Sequence, residues 1–79
     1  MRLDKYLKVS RIIKRRTIAN EACDAGRVTV NEKVARASYD VKVGDTISVS
    51  FGSRILKFKV VSTVDVVKKE DAQLMYEML

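Results

Sequence analysis

Seven of the first 17 residues carry a cation: Arg2, Lys5, Lys8, Arg11, Lys14, Arg15 and Arg16, against one acid, Asp4. The chemistry open to such a set is the binding of oxyanions, with arginine bridging two oxygens and lysine acting as a point charge. Other chemistries lack their residues. The 79-residue chain has no histidine and one cysteine, which excludes histidine-based triads, imidazole acid–base catalysis and zinc sites built on His or several Cys. One cysteine also excludes a disulfide framework within the chain and points to a reducing compartment. Of the net charge of +6, all sits in the first half: residues 1–36 hold ten Lys/Arg and four Asp/Glu, and residues 37–79 hold six of each. Charge kept for solubility would be spread. A local positive field concentrates polyanions by releasing their counterions, so nucleic acid is the expected partner.

The spacing of these cations constrains the elements that carry them. Steps of three residues drift by about −60° around a helix, so one continuous helix would scatter the basic side chains over its surface. A break near Ser10 gives each half its own basic edge. Leu3, Tyr6 and Leu7 then share one side of a helix over residues 3–9, with Asp4, Lys5 and Lys8 on the other. Ile12 and Ile13 anchor a short connection. A second helix runs from Arg16 to Ala25, with Ile18, Ala19, Ala22 and Ala25 as its apolar stripe and Cys23 at the edge. Gly26 stops it. Lys14-Arg15-Arg16 therefore lies at a helix start, where unpaired N–H groups and the dipole favour phosphate.

After Gly26 the period changes from helical to alternating. Arg27–Val30 and Lys33–Arg36 read as strands around an Asn31-Glu32 turn. Thr46–Phe51 and Arg54–Val61 read as strands around Gly52-Ser53, and Glu70–Leu79 as a last helix. The order describes one α+β domain, residues 1–79, with a small, mainly antiparallel sheet. No apolar run approaches the length of a membrane span or a signal-peptide core, so the expected setting is cytoplasmic.

Four segments in order carry a resemblance: Arg2-Leu3-Asp4-Lys5-Tyr6-Leu7, Arg16-Thr17-Ile18-Ala19-Asn20-Glu21-Ala22, Gly26-Arg27-Val28-Thr29-Val30-Asn31, and Ala37–Asp45 with its Val41-Lys42-Val43-Gly44-Asp45. Together they resemble the S-four (S4) RNA-binding domain. That resemblance implies the alpha-L fold: two packed N-terminal helices on a small sheet, with a basic helical face on structured RNA. The module would cover residues 1–50, leaving an extra strand and a short C-terminal helix in 51–79. Over its whole length, most specifically in Lys8–Thr17 and in Lys68-Lys69-Glu70 before Met75-Tyr76, the chain is similar to the short bacterial S4 proteins of ribosome-associated quality control. This implies a monomeric, non-enzymatic factor without cofactor, seated on the stalled large ribosomal subunit between rRNA and peptidyl-tRNA. There it would support an RqcH-type tail-adding factor in extending stalled chains with alanine. Arg2 and Arg16 match positions of rRNA contact. Lys5, Arg11, Lys14, Arg15 and Arg27 join them by charge and placement, and Thr17 and Asn20 as polar contacts. The alternatives are an S4 factor of the heat-shock type, usually longer in its basic C-terminal tail, and a DNA-binding nucleoid protein.

Three positions depart from the family pattern: Glu32 in place of a turn glycine, Ala37 in place of a proline, and Arg15 in place of a capping serine. The remaining reactive types read as structural. Cys23 and Tyr6 are expected in the core, Met75 and Met78 on a helix face against the sheet, and Asp4, Asp40 and Asp45 in caps, turns and ion pairs.

Overall fold

Gly26 marks the change from helix to sheet in the computed structural model, which describes residues 1–79. Its φ of 73° is a conformation that side chains with a Cβ avoid. Upstream lie α1 (Leu3–Val9) and α2 (Arg16–Asp24). Downstream come β1 (Val28–Val30), β2 (Lys33–Val34), β3 (Thr46–Phe51), β4 (Arg54–Val60), a 3₁₀ helix (Lys69–Met75) and β5 (Tyr76–Met78). The five strands form one antiparallel sheet in the order β2-β1-β3-β4-β5. The α+β architecture expected from the sequence is thus present, with the helical pair packed on one face of the sheet.

Alternation decides which side chains meet the helices. Val28, Ile47, Val49, Phe58 and Val60 point inward and join Leu3, Tyr6, Leu7, Ile13, Ala19 and Cys23 in one core. The small residues Ala19 and Cys23 let α2 approach α1 closely. Burial of the tyrosine ring is completed by a hydrogen bond from the Tyr6 hydroxyl to the Met75 carbonyl at 2.7 Å. Burial also pushes the Tyr6 phenol well above its ordinary range, so it stays a donor.

Two local expectations need correction. The helical reading of Glu70–Leu79 fails after Met75, because Tyr76–Met78 pairs with β4 from Val60↔Tyr76 to Phe58↔Met78. Helix propensity is a weak prior. Here the Met75 carbonyl is taken by Tyr6 and by the amides of Val61 and Ser62, and the Phe58 and Tyr76 rings meet edge-on at 5.6 Å. In α2, Ile18 is 46% exposed and Ala25 is also outside the core. Ala19 and Cys23 are buried and Ala22 packs against the core, with half-buried Asn20 and exposed Arg16 beside them on the side toward α1. The Asn31-Glu32 turn forms where the sequence placed it, with the backbone sign of an Asn-Gly turn but without the glycine. Asn31 and Glu32 have φ of 52° and 71°, so Glu32 is held in the left-handed region.

Candidate nucleic-acid interface

Asp4, expected to face solvent, is 2% exposed. Its position follows from the chain around it. The backbone beside Arg2 is clamped to the 37–41 segment, with the Leu3 amide donating to the Tyr39 carbonyl and the Val41 amide to the Met1 carbonyl, both at 2.8 Å. The Met1 ammonium also meets Asp40 Oδ1 at 2.8 Å. Arg2 thereby stands at the head of α1 with its guanidinium over Asp4. From the other side, the side of α2 toward α1 brings Arg16 and Asn20.

The Asp4 carboxylate collects all of them. Arg2 donates from Nε at 3.2 Å and from Nη2 at 3.4 Å, and Asn20 from Nδ2 at 3.3 Å. Arg16 donates from Nη2 at 3.5 Å, and its Nε lies 3.4 Å from Oδ2. The Lys5 amide adds a bond of 2.8 Å. Burial alone would raise this carboxyl. The hydrogen bonds from Arg2, Asn20, Arg16 and the Lys5 amide outweigh it and hold Asp4 below the ordinary carboxylate value. No buried side-chain nitrogen or oxygen lacks a partner. This is why α2 turns polar residues toward α1: they satisfy an acid buried between the helices.

The consequence is two fixed guanidinium forks side by side. The Arg2 and Arg16 side chains remain 50% and 48% exposed, so the N–H groups not used by Asp4 face outward. Arg15, the N-cap residue, supplies no side-chain cap, so the first amides of α2 are open to an anion beside Arg16. From Arg2 and Asn20 an open groove runs along Cys23 and Gly26 to Arg36 and Ser38. Such an arrangement has the donors and charge that phosphates of a polyanion require. It has no activated nucleophile: burial, with Asp4 and Asp24 nearby, pushes the Cys23 thiol up to about 11. No three His, Cys, Asp or Glu side chains gather as a metal site.

The other residues singled out in the sequence fall elsewhere. Thr17 and Arg15 are exposed at the start of α2 without side-chain hydrogen bonds, flanking the cluster. Arg11, held at φ 63° after the end of α1, and Lys14 line a second cleft with Lys8 and Lys69, walled by Val66 and Val67. Lys5 leaves the Asp4 cluster and pairs with Asp65 at 3.4 Å. Arg27 lies past the far end of α2 and makes no side-chain contact with either group. The run Lys14-Arg15-Arg16 is therefore divided between two faces. Asp4 stands in ion pairs, as the sequence implied, but is buried between the helices, which the sequence reading missed, as it missed Lys69 and Arg36. Of these only Asp4 carried a signal, as the lone acid among the first cations.

Comparison with known proteins places this geometry among relatives. The S4 domain model matches residues 1–47. A protein of Streptococcus pneumoniae named RQC P-site tRNA stabilizing factor is 56% identical over 79 residues, covering 100% of this chain and 90% of that protein. Its namesake in Bacillus subtilis is 52% identical, covering 100% and 92%. Among solved structures, the trimeric Vibrio cholerae heat shock protein 15 superposes with a TM-score of 0.92 at 28% identity, over 100% of this chain and 81% of the other. No helix is long and apolar enough to cross a membrane.

Proposed function

Since the chain belongs to the S4 domain family, and within it to the RQC P-site tRNA stabilizing factors, we propose that it is a non-enzymatic RNA-binding factor of ribosome-associated quality control. In this reading it sits on the large ribosomal subunit, contacts rRNA, holds peptidyl-tRNA, and supports an RqcH-type factor in tailing the stalled chain with alanine. The observation that carries the RNA part is the Asp4-centred cluster, in which Arg2 and Arg16 present oriented, half-exposed guanidinium groups. Arg2, Arg16 and Asn20 form the rRNA contact. Arg15 and Thr17 flank it. Lys5, Arg11, Lys14 and Arg27 extend the positive field without entering the cluster.

The test compares two double variants of equal charge change. Arg2→Gln with Arg16→Gln should abolish co-sedimentation with large subunits. It should also reduce the slope of log K against log salt by roughly 2, one for each lost phosphate contact. Lys57→Gln with Lys59→Gln, on the exposed side of β4, should leave both near wild type. Equal loss in two folded variants would show a generic polycation instead. The likeness to heat shock protein 15 supports a second reading, a factor that handles released large subunits. Tighter binding to subunits loaded with peptidyl-tRNA than to empty ones, together with loss of alanine tails in cells carrying the arginine variant, would separate the first reading from it. Preference for A-form RNA over duplex DNA in competition would exclude the nucleoid alternative.

A further inference from the structure

A stretch of the chain that the RNA reading leaves unused carries an exposed apolar surface. Val64, Val66 and Leu74 are 52%, 90% and 70% exposed, a large apolar display for a domain of this size. They are not scattered. Val64, Val66 and Val67 line one groove with Leu74 and Met75 of the 3₁₀ helix, together with Ser62, Lys68 and Asp71. Its apolar lining is aliphatic, with no aromatic ring on which a base could stack, which argues against RNA as the occupant. A β-strand would need an open sheet edge. Here the Val61 and Ser62 amides already donate to the Met75 carbonyl, at 2.8 and 3.1 Å, so the groove offers side chains rather than backbone.

Charge in the adjoining cleft, which shares two valines with this groove, specifies the partner. Val66 and Val67 also border the cleft that gathers Lys8, Arg11, Lys14 and Lys69. Its one acid, Asp65, is matched by Lys5 at 3.4 Å, which leaves the cations unopposed. We propose that this groove, with the basic cleft that adjoins it, docks an acidic amphipathic helix of a protein partner. Apolar residues of that helix at i, i+4 and i+7 would fill the space between Val66 and Leu74, and its Glu or Asp residues would face Lys8, Arg11, Lys14 and Lys69. The site lies apart from the Asp4 cluster, so RNA and the helix can be held together.

The test uses a labelled 18-residue helical peptide with leucines at those spacings and glutamates elsewhere, and a second peptide with lysine for every glutamate. Fluorescence anisotropy at low salt should show the acidic peptide binding at least tenfold more tightly than the basic one. Val66→Ser with Leu74→Ser should weaken the acidic peptide at least tenfold while leaving affinity for large-subunit rRNA within twofold. Both residues are mostly exposed, so the variant should fold. Lys8→Gln with Lys14→Gln provides a second variant that spares the apolar groove and should weaken the peptide by at least threefold. Three results would overturn the proposal: no preference between peptides, equal loss of rRNA and peptide on the serine substitutions, or a serine variant that only abolishes self-association in sedimentation equilibrium. The rRNA affinity itself depends on the Arg2 and Arg16 reading, which fails separately, in the co-sedimentation test.

Discussion

Replacing Asp4 by asparagine removes a negative charge and should nevertheless weaken RNA binding. The substitution raises the formal charge from +6 to +7. A protein that binds RNA through its overall field should then bind more tightly. An extra unit charge about 5 Å from a phosphate is worth under ~1 kcal/mol in water and less with screening. Against this stands the loss of orientation. The Asp4 carboxylate fixes Arg2 through two hydrogen bonds and Arg16 through one, with a further close Nε contact. An asparagine keeps one acceptor oxygen and turns an NH₂ toward the other donors, so each guanidinium loses one of its two contacts and its fixed orientation. Ordering a long side chain at an interface costs about 0.5–1.5 kcal/mol, so two arginines cost about 1–3 kcal/mol, or roughly 5- to 150-fold in affinity. Geometry therefore decides the sign. The assay is anisotropy titration of a large-subunit rRNA fragment at fixed salt, after circular dichroism has shown the variant folded. Asp65→Asn supplies the control, with the same charge change at an exposed pair with Lys5 that touches neither Arg2 nor Arg16. It should bind equally or slightly more tightly. If Asp4→Asn also binds equally or more tightly, Asp4 does not position the arginines.

Three further outcomes test the structure. Glu32→Gly should stabilise the domain by about 0.5–1 kcal/mol, because glycine adopts the left-handed turn without a Cβ clash, and Tm should rise by a few degrees in calorimetry. Tyr6→Phe should lower stability by about 1–2 kcal/mol, since it leaves the buried Met75 carbonyl without that donor, and hydrogen exchange should increase first in β5. Asp4 contributes stability above the ordinary carboxylate pKa, because its folded pKa is lowered, and loses it as pH falls through that folded value. The Tm gap between wild type and Asp4→Asn should thus be full near neutral pH and close as pH drops below about 4. A gap that persists unchanged into acid would assign the stabilisation to packing.

How much of this was legible in the sequence depended on whether a residue obeyed its own period. Leu3, Tyr6 and Leu7 in α1, and Ile47 with Val49 in β3, follow the helical and alternating rules, and the structure buries each of them. The C-terminal segment has helix-forming composition, yet a free β4 edge and the Tyr6 hydroxyl fix Tyr76–Met78 as a strand. That outcome depends on partners outside the segment, with Tyr6 lying 69 positions from Met75 in the chain. In α2 the stripe holds at Ala19 and Ala22 and fails at Ile18 and Ala25, for the opposite reason. Hydrophobicity selects Ile18 as inward, but the helix turns so that Arg16 and Asn20 can satisfy Asp4. Periodicity read from apolar residues alone cannot register a buried acid. The cationic set was visible as composition, whereas its division into an Asp4 cluster and a separate cleft required the break after α1, with Ser10 buried and Arg11 left-handed.

The division argues that charge and geometry have separate tasks in this molecule. A surface selected only for affinity toward a polyanion would leave every arginine free and put no acid among them. Here an acid is buried where it cancels part of the local charge, in an ion-pair arrangement that by itself adds little to stability. What it adds is position. Asp4 ties the head of α1 to the facing side of α2, so the packing of the two helices and the presentation of Arg2 and Arg16 are one structure. On the proposed RNA reading, the unpaired cations, Lys8, Arg11 and Lys14 among them, supply a field that reaches about a Debye length, ~8 Å at physiological salt. Fixed forks can then accept or reject a particular spacing of phosphates, which a diffuse field cannot do. Specific seating on one folded RNA is therefore expected to depend on the single acid more than on any one lysine.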